Sequence, residues 1–235
     1  MKLTEHQIED LFKFTRKHYV YFYDVQSELV DHLANDIEEI WIEHSKLSFE
    51  QARDKSFKKF GIFGFMDVVE EKQKQMNKRY RKILWRFFKE WFTLPKVIST
   101  LSIFFALFVV LQIQNSEYIL LVSLLVLVIY DLIKQSKVKK KHKKAKQKKE
   151  KVFLLESMIG EARKGFSGFA FIHVFNSLNL VKVPFSTLEI HWLLLIAFSI
   201  TMLIILFYVT AYLIPQKAEE LLEETYPEYK IVNNL

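Results

Sequence analysis

Two groups of side chains have the types and spacing to do chemistry. The first is Asp31, His32, Asp36, Glu39, Glu43 and His44, strung along one acidic segment. Carboxylates and imidazoles at helical spacing are ligands for divalent cations. The second is His173, Asn176 and Ser177 inside an apolar stretch, with Glu189 and His191 further on. Polar and ionisable groups within a bilayer are costly, and lining a proton, metal or solute path is one reason to hold them there. Neither group has a second ligand cluster at recognisable spacing or an HExxH arrangement. A solvated helix face accounts for the first group, and hydrogen bonds between packed helices account for the second.

Other chemistries fare worse. The chain contains no cysteine, which removes disulfides, thiolate metal sites and thiol nucleophiles. Gly61-Ile62-Phe63-Gly64 lacks the Lys-Ser/Thr pair and the preceding strand of a phosphate loop. No Ser-His-Asp order stands out, and five glycines in all leave little room for nucleotide-binding loops. The expectation is a protein that is not an enzyme and needs no cofactor or metal.

The elements that must position these residues are all helical. Thr4 with Gln7 and Ser48 with Gln51 have capping-box spacing, placing helix starts at both. Ile8, Leu11, Phe12 and Thr15 share one face. Asp24 is expected to cap a second helix, along which Val25, Leu29, Leu33, Ile37, Ile40 and Trp41 recur at the amphipathic period. Its opposite face carries Glu28, Asp31, Asp36, Glu38, Glu39 and Glu43. Phe49, Ala52, Ser56, Phe57 and Phe60 form a third stripe, and Gly61 stands where a left-handed C-terminal cap is wanted. A fourth helix is expected from about Phe65, with Met66 and Val69 turned inward and Gln73 or Met76 following.

Residues 77–93 change character. Tyr80, Leu84, Phe87, Phe88 and Trp91 line one face, while Arg79, Arg81, Lys82, Arg86 and Lys89 occupy most of the rest. An aromatic-basic amphipathic helix beside a span lies at the headgroup level. Four apolar stretches follow, at about Leu94–Ile113, Tyr118–Ile133, Phe166–Val183 and His191–Ile214. They approach the ~20 residues a helix needs to cross the ~30 Å hydrocarbon core.

Charge is segregated around these stretches. Residues 1–76 hold 11 basic against 15 acidic side chains, residues 77–151 hold 18 against 4, and residues 152–235 hold 5 against 8. Eleven lysines fall within the eighteen residues Lys134–Lys151, among them Lys139, Lys140 and Lys141. Basic residues near span ends stay in the cytoplasm, so the tract marks an inside loop, and both termini are expected inside. The external loops carry Lys182 alone. The basic excess flanks spans, where anionic lipid explains it better than nucleic acid does.

The expected architecture is all-α, a small cytoplasmic helical domain (1–76) followed by a four-helix transmembrane bundle. The segments between are a juxtamembrane helix (77–93), a hairpin of spans (94–133), a Lys-rich loop (134–165), two further spans (166–214) and an acidic tail (215–235). No cleavable signal peptide is apparent at the N-terminus, and the Lys, Ile, Phe and Asn richness suggests a bacterial inner-membrane protein.

Tyr23-Asp24-Val25-Gln26-Ser27-Glu28-Leu29-Val30-Asp31-His32-Leu33, then Leu47-Ser48-Phe49-Glu50-Gln51-Ala52, Phe57-Lys58-Lys59-Phe60-Gly61 and Met66-Asp67-Val68-Val69 follow one another in order. This order resembles the HAAS-type signalling domain and the related prefix modules of bacterial permeases, over residues 1–76. The resemblance implies a cytoplasmic helical module ahead of membrane spans and a signalling role, commonly beside PadR-like regulators; it implies no catalytic residues.

Three functional expectations follow. The first is a signalling or scaffolding membrane protein that binds a basic protein partner through Glu28, Asp31, His32, Asp36 and Glu39. In it Arg79, Arg81, Lys82, Arg86 and the lysine tract meet anionic headgroups. The partner would be a PadR-like regulator or a permease component, and the chain could also assemble with copies of itself. The second is a transporter or permease accessory subunit with His173, Asn176 and His191 on a path. The third is a membrane-embedded enzyme.

Overall fold

The computed structural model describes residues 2–126, 128–130, 133, 151–165 and 184–233. Among the described residues every regular element is helical and no strand occurs. The chain divides into two compact units, one of residues Met1–Tyr80 with Lys151–Ser157, the other of Arg81–Glu150 with Met158–Leu235.

In the first unit, α1 (Glu5–Lys17) and α3 (Phe49–Lys58) begin at complete capping boxes, Thr4 with Gln7 and Ser48 with Gln51. Each box satisfies two backbone donors that a helix start would otherwise leave open. α1 stops by a Schellman motif. Val20 N–H donates to Thr15 O at 3.2 Å and Tyr19 N–H to Arg16 O at 3.2 Å, with Tyr19 itself left-handed at φ 67°. Val20 is then fully buried, and the side-chain amide of Gln26 donates to its carbonyl at 2.6 Å.

Between α1 and α3 lies α2 (Tyr23–Glu43), which packs against both. All six residues of its expected apolar stripe, Val25 through Trp41, are buried, together with Val30 and Gln26. Trp41 Nε1 donates to Leu47 O at 3.0 Å, closing the turn toward α3. Phe14, His18, Phe57, Phe60 and Phe65 form an aromatic cluster, with Phe57 and Phe65 edge to face at 4.8 Å.

Two expectations change here. Met66 is exposed rather than inward, because left-handed Gly64 (φ 56°) turns the chain so that Phe65 enters the aromatic cluster in its place. Asp24 does not cap its own helix: the N-cap position of α2 is Phe22, without a side-chain bond. Asp24 Oδ1 instead accepts the backbone N–H of Leu154 at 3.0 Å. Residues 151–157 belong to this unit for that reason and others. Tyr23 N–H donates to Val152 O at 2.9 Å, the fully buried Phe153 meets the Tyr23 ring at 5.4 Å, and Lys151 Nζ lies 4.7 Å over that ring.

α4 (Met66–Trp91) is one continuous helix that carries on through most of the basic-aromatic stretch 77–93. The second unit holds its end, then α5 (Leu94–Leu111), α6 (Ser116–Tyr130) and most of α7 (154–165). After these come α8 (Ile190–Tyr208), α9 (Ile214–Gln216), α10 (Ala218–Thr225) and α11 (Tyr229–Asn233). Pro95 sits in the first turn of α5, where its missing donor costs nothing. Asn115, left-handed at φ 63°, tightens the turn to α6.

α5 packs on α8 around Leu111, Leu193 and Ala197, with Phe185 from the connection before α8 completing the cluster. A π-helical turn, Val209–Leu213, links α8 to α9. Pro215 lies four residues after Ala211; it has no N–H to offer that carbonyl, and its ring would strike it in a regular α-helix. Widening the preceding turn relieves both problems.

Among the described residues two helices are long and apolar enough to cross a membrane: α5, with 18 residues, and the combined Ile190–Gln216, with 27. At 1.5 Å per residue these reach ~27 and ~40 Å. The expected second span is the shorter apolar helix α6. The expected third span, with His173 and Asn176, lies outside the described residues, as do Lys139, Lys140 and Lys141.

Candidate docking and headgroup surfaces

The acidic side of α2 is divided by its neighbours. Burial of the stripe from Val25 to Trp41 fixes the helix rotation and turns the carboxylates outward. Glu28 then pairs with Lys72 of α4 at 2.6 Å, and Asp36 with Lys59 just after α3. Burial pushes the Asp36 carboxyl up, but the hydrogen bond from Lys59, the neighbouring Ser56 hydroxyl and the charges of Lys59 and Lys55 together hold the group below its ordinary value. The same bond, with the charge behind it, raises the Lys59 ammonium. Asp31, His32 and Glu39 stand exposed. Two of the five expected docking residues therefore hold α3 and α4 against α2, and three face solvent. Among the described residues no group of three or more His, Asp or Glu is placed to hold a metal ion.

The basic helix end divides in a similar way. Ile83 and Phe87 are buried, and Arg81, Lys82 and Lys89 are exposed. Arg86 is taken by the C-terminal tail: Nη1 donates to Glu224 Oε1 at 3.1 Å and Nη2 to Glu224 Oε2 at 3.2 Å. That two-pronged bond raises the guanidinium above its ordinary value. Arg79 is exposed as well. Around these charges runs an aromatic strip with Trp85 stacked on Phe88 at 5.6 Å, Phe88 meeting Phe92 at 5.1 Å, and Lys89 Nζ 5.4 Å over Trp85. Trp85 and Phe92 lie off the expected aromatic face and are exposed. The i, i+3, i+7 spacing of Trp85, Phe88 and Phe92 was available in the sequence as a second stripe.

Trp91 is anchored inward, donating from Nε1 to Thr100 Oγ1 at 3.0 Å and packing on Tyr208 at 5.1 Å. His191 is exposed at the start of α8, with Nδ1 3.2 Å from Glu189 Oε2. This is a local pair two residues apart. Glu224 as the partner of Arg86, and Asp24 as the partner of Leu154, had no sequence signal: the residues are 138 and 130 positions apart.

Compared with known proteins, the chain matches no family model, no curated protein and no solved structure.

Proposed function

We propose that this chain is a non-enzymatic, four-span protein of the bacterial inner membrane with both termini in the cytoplasm. Its first unit is a HAAS-like signalling or scaffolding module that docks a basic protein partner, such as a PadR-like regulator or a permease component. The observation that carries this reading is the partition of α2. Its apolar face completes a core, its flanks are held by Lys59 and Lys72, and Asp31, His32 and Glu39 are left facing solvent on a rigid helix.

Membrane integration is supported by how little of the apolar helices the protein covers. Only 11% of the α5 window and 33% of that in Ile190–Gln216 is buried. In water such faces would forfeit ~25 cal/mol for each Å² left uncovered, and a bilayer removes that cost.

Two experiments test the reading. The full chain in nanodiscs, with and without Asp31→Arg plus Glu39→Arg, is used to capture a candidate regulator or permease subunit. Salt-sensitive capture lost in the double variant supports α2 docking; equal capture by both overturns it. A reporter fused after Leu235 that is active only in the cytoplasm supports an even number of crossings with the tail inside, and an external reporter excludes four.

A further inference from the structure

Two residues, Phe92 and Thr93, join α4 to α5. The Trp91 hydrogen bond to Thr100, the seventh residue of α5, folds the last turn of α4 against the first two turns of that helix. The anchor also fixes the rotation of α4. Ile83 and Phe87 are buried on the Trp91 side, so Trp85, Phe88 and Phe92 are left on the outward edge. Trp85 is 55% exposed and Phe92 40%, and the three rings stack in a row. At 100° per residue this stripe is centred roughly a quarter turn from the aromatic face expected from the sequence.

The charges sort with the rings. Arg81 and Lys89 lie one turn either side of Trp85, with Lys82 beside them, and all three are exposed. Among the described residues no carboxylate, those of the acidic tail included, lies within ion-pair distance of Arg81, Lys82 or Lys89. The tail meets the helix at Arg86 instead, through Glu224, while Glu220 pairs with Lys217 and Glu223 with Lys230. Glu90 is the one carboxylate in the sequence between Glu71 and Glu117, and its charge acts on Arg86, one turn back on the same side. With Arg86 neutralised by Glu224 and Glu90 counted in full, residues 81–92 remain net positive.

We infer that Trp85, Phe88 and Phe92 form an interfacial anchor along the headgroup–acyl boundary of an anionic leaflet, with Arg81, Lys82 and Lys89 on lipid phosphates. The inference rests on the membrane location proposed for α5, whose window is only 11% buried and begins two residues beyond the stripe. Aromatic rings favour this boundary because their apolar bodies meet acyl chains while the indole N–H stays near water. Long basic side chains beside them reach outward to the headgroups. Arg86 is withheld from lipid by the tail.

The chain has no cysteine, so a single label is unambiguous. Trp85→Cys, Glu90→Cys and Phe105→Cys are each spin-labelled in the full chain and reconstituted into vesicles of phosphatidylglycerol with phosphatidylcholine. Collision rates are measured with oxygen, which concentrates in lipid, and with a water-soluble nickel chelate. Oxygen access should exceed nickel access at position 85 and at position 105, within α5. The order should reverse at position 90, although it is nearer the span in sequence than position 85. Replacing Arg81, Lys82 and Lys89 with Gln should shift position 85 toward water, as should pure phosphatidylcholine. Unchanged access in that triple variant overturns the headgroup assignment. Nickel-dominated access at position 85 with oxygen-dominated access at position 105 overturns the anchor and leaves the span standing. Nickel-dominated access at both removes the span and the anchor with it. Spin–spin broadening at position 85 without an oxygen preference assigns the stripe to self-association and overturns the proposal.

Discussion

The carboxylate of Asp24 accepts the backbone N–H of Leu154 at 3.0 Å, so a residue in the first turn of α2 serves as the N-terminal cap of α7, 130 positions away. Together with the Tyr23 N–H bond to Val152 O, it secures residues 151–157 to the first unit. The end of the lysine-rich stretch is thereby attached to the module proposed to bind a partner.

Removing that cap should loosen the segment. Asp24→Ala is expected to cost about 1 kcal/mol, the usual value of a lost N-cap, and to speed hydrogen exchange at residues 154–157. Asp24→Asn, which keeps an acceptor oxygen, should retain most of the protection. Equal exchange in all three chains would show that the Tyr23 and Phe153 contacts hold the segment without the cap.

Tyr19 adopts a left-handed conformation that costs a non-glycine residue about 1–2 kcal/mol, and its side chain is 69% exposed and so buries little in return. Tyr19→Gly should stabilise the first unit by about 1 kcal/mol, read as a higher unfolding midpoint. A lower midpoint would mean that the ring makes a contact worth more than the strain.

The two left-handed glycines between α3 and α4, Gly61 and Gly64, should not be equivalent. Gly61→Ala meets open space and suffers only from its backbone, an expected loss of about 1 kcal/mol. Gly64→Ala suffers the same strain and also drives its methyl against Phe57, where overpacking adds about 1–3 kcal/mol. Denaturant midpoints of the two variants give the ranking directly.

His18 introduces a pH dependence. It lies 4.4 Å from the rings of both Phe14 and Phe57, and burial first, then Lys17 and Arg53, lowers its pKa below the ordinary 6.5. Folding therefore favours the neutral ring. The contribution is complete above pH 6.5 and is lost as the pH falls through the lower folded value, because the unfolded chain binds the proton more readily. Thermal unfolding of the first unit should show a midpoint falling over that range. His18→Phe should flatten the profile, and an unchanged slope in that variant would remove His18 as its source.

Much of this was legible in the sequence because it is local. The capping boxes at Thr4 and Ser48, the left-handed Gly61, the stripe of α2 and the apolar length of α5 all depend on residues within a few positions of one another. Hydrophobic period and cap chemistry act at that range, and they determine helix starts, stops and buried faces. What the sequence could not determine is which charge meets which. Glu28, Asp36 and Arg86 are exposed, interchangeable members of charged faces until packing brings Lys72, Lys59 and Glu224 beside them. Asp24 had a plausible cap of its own and lost it to α7, and Met66 gave way to Phe65 once Gly64 turned the chain. Those outcomes belong to the tertiary structure, because a polar side chain's partner is set by where distant backbone arrives rather than by its own neighbours in the chain.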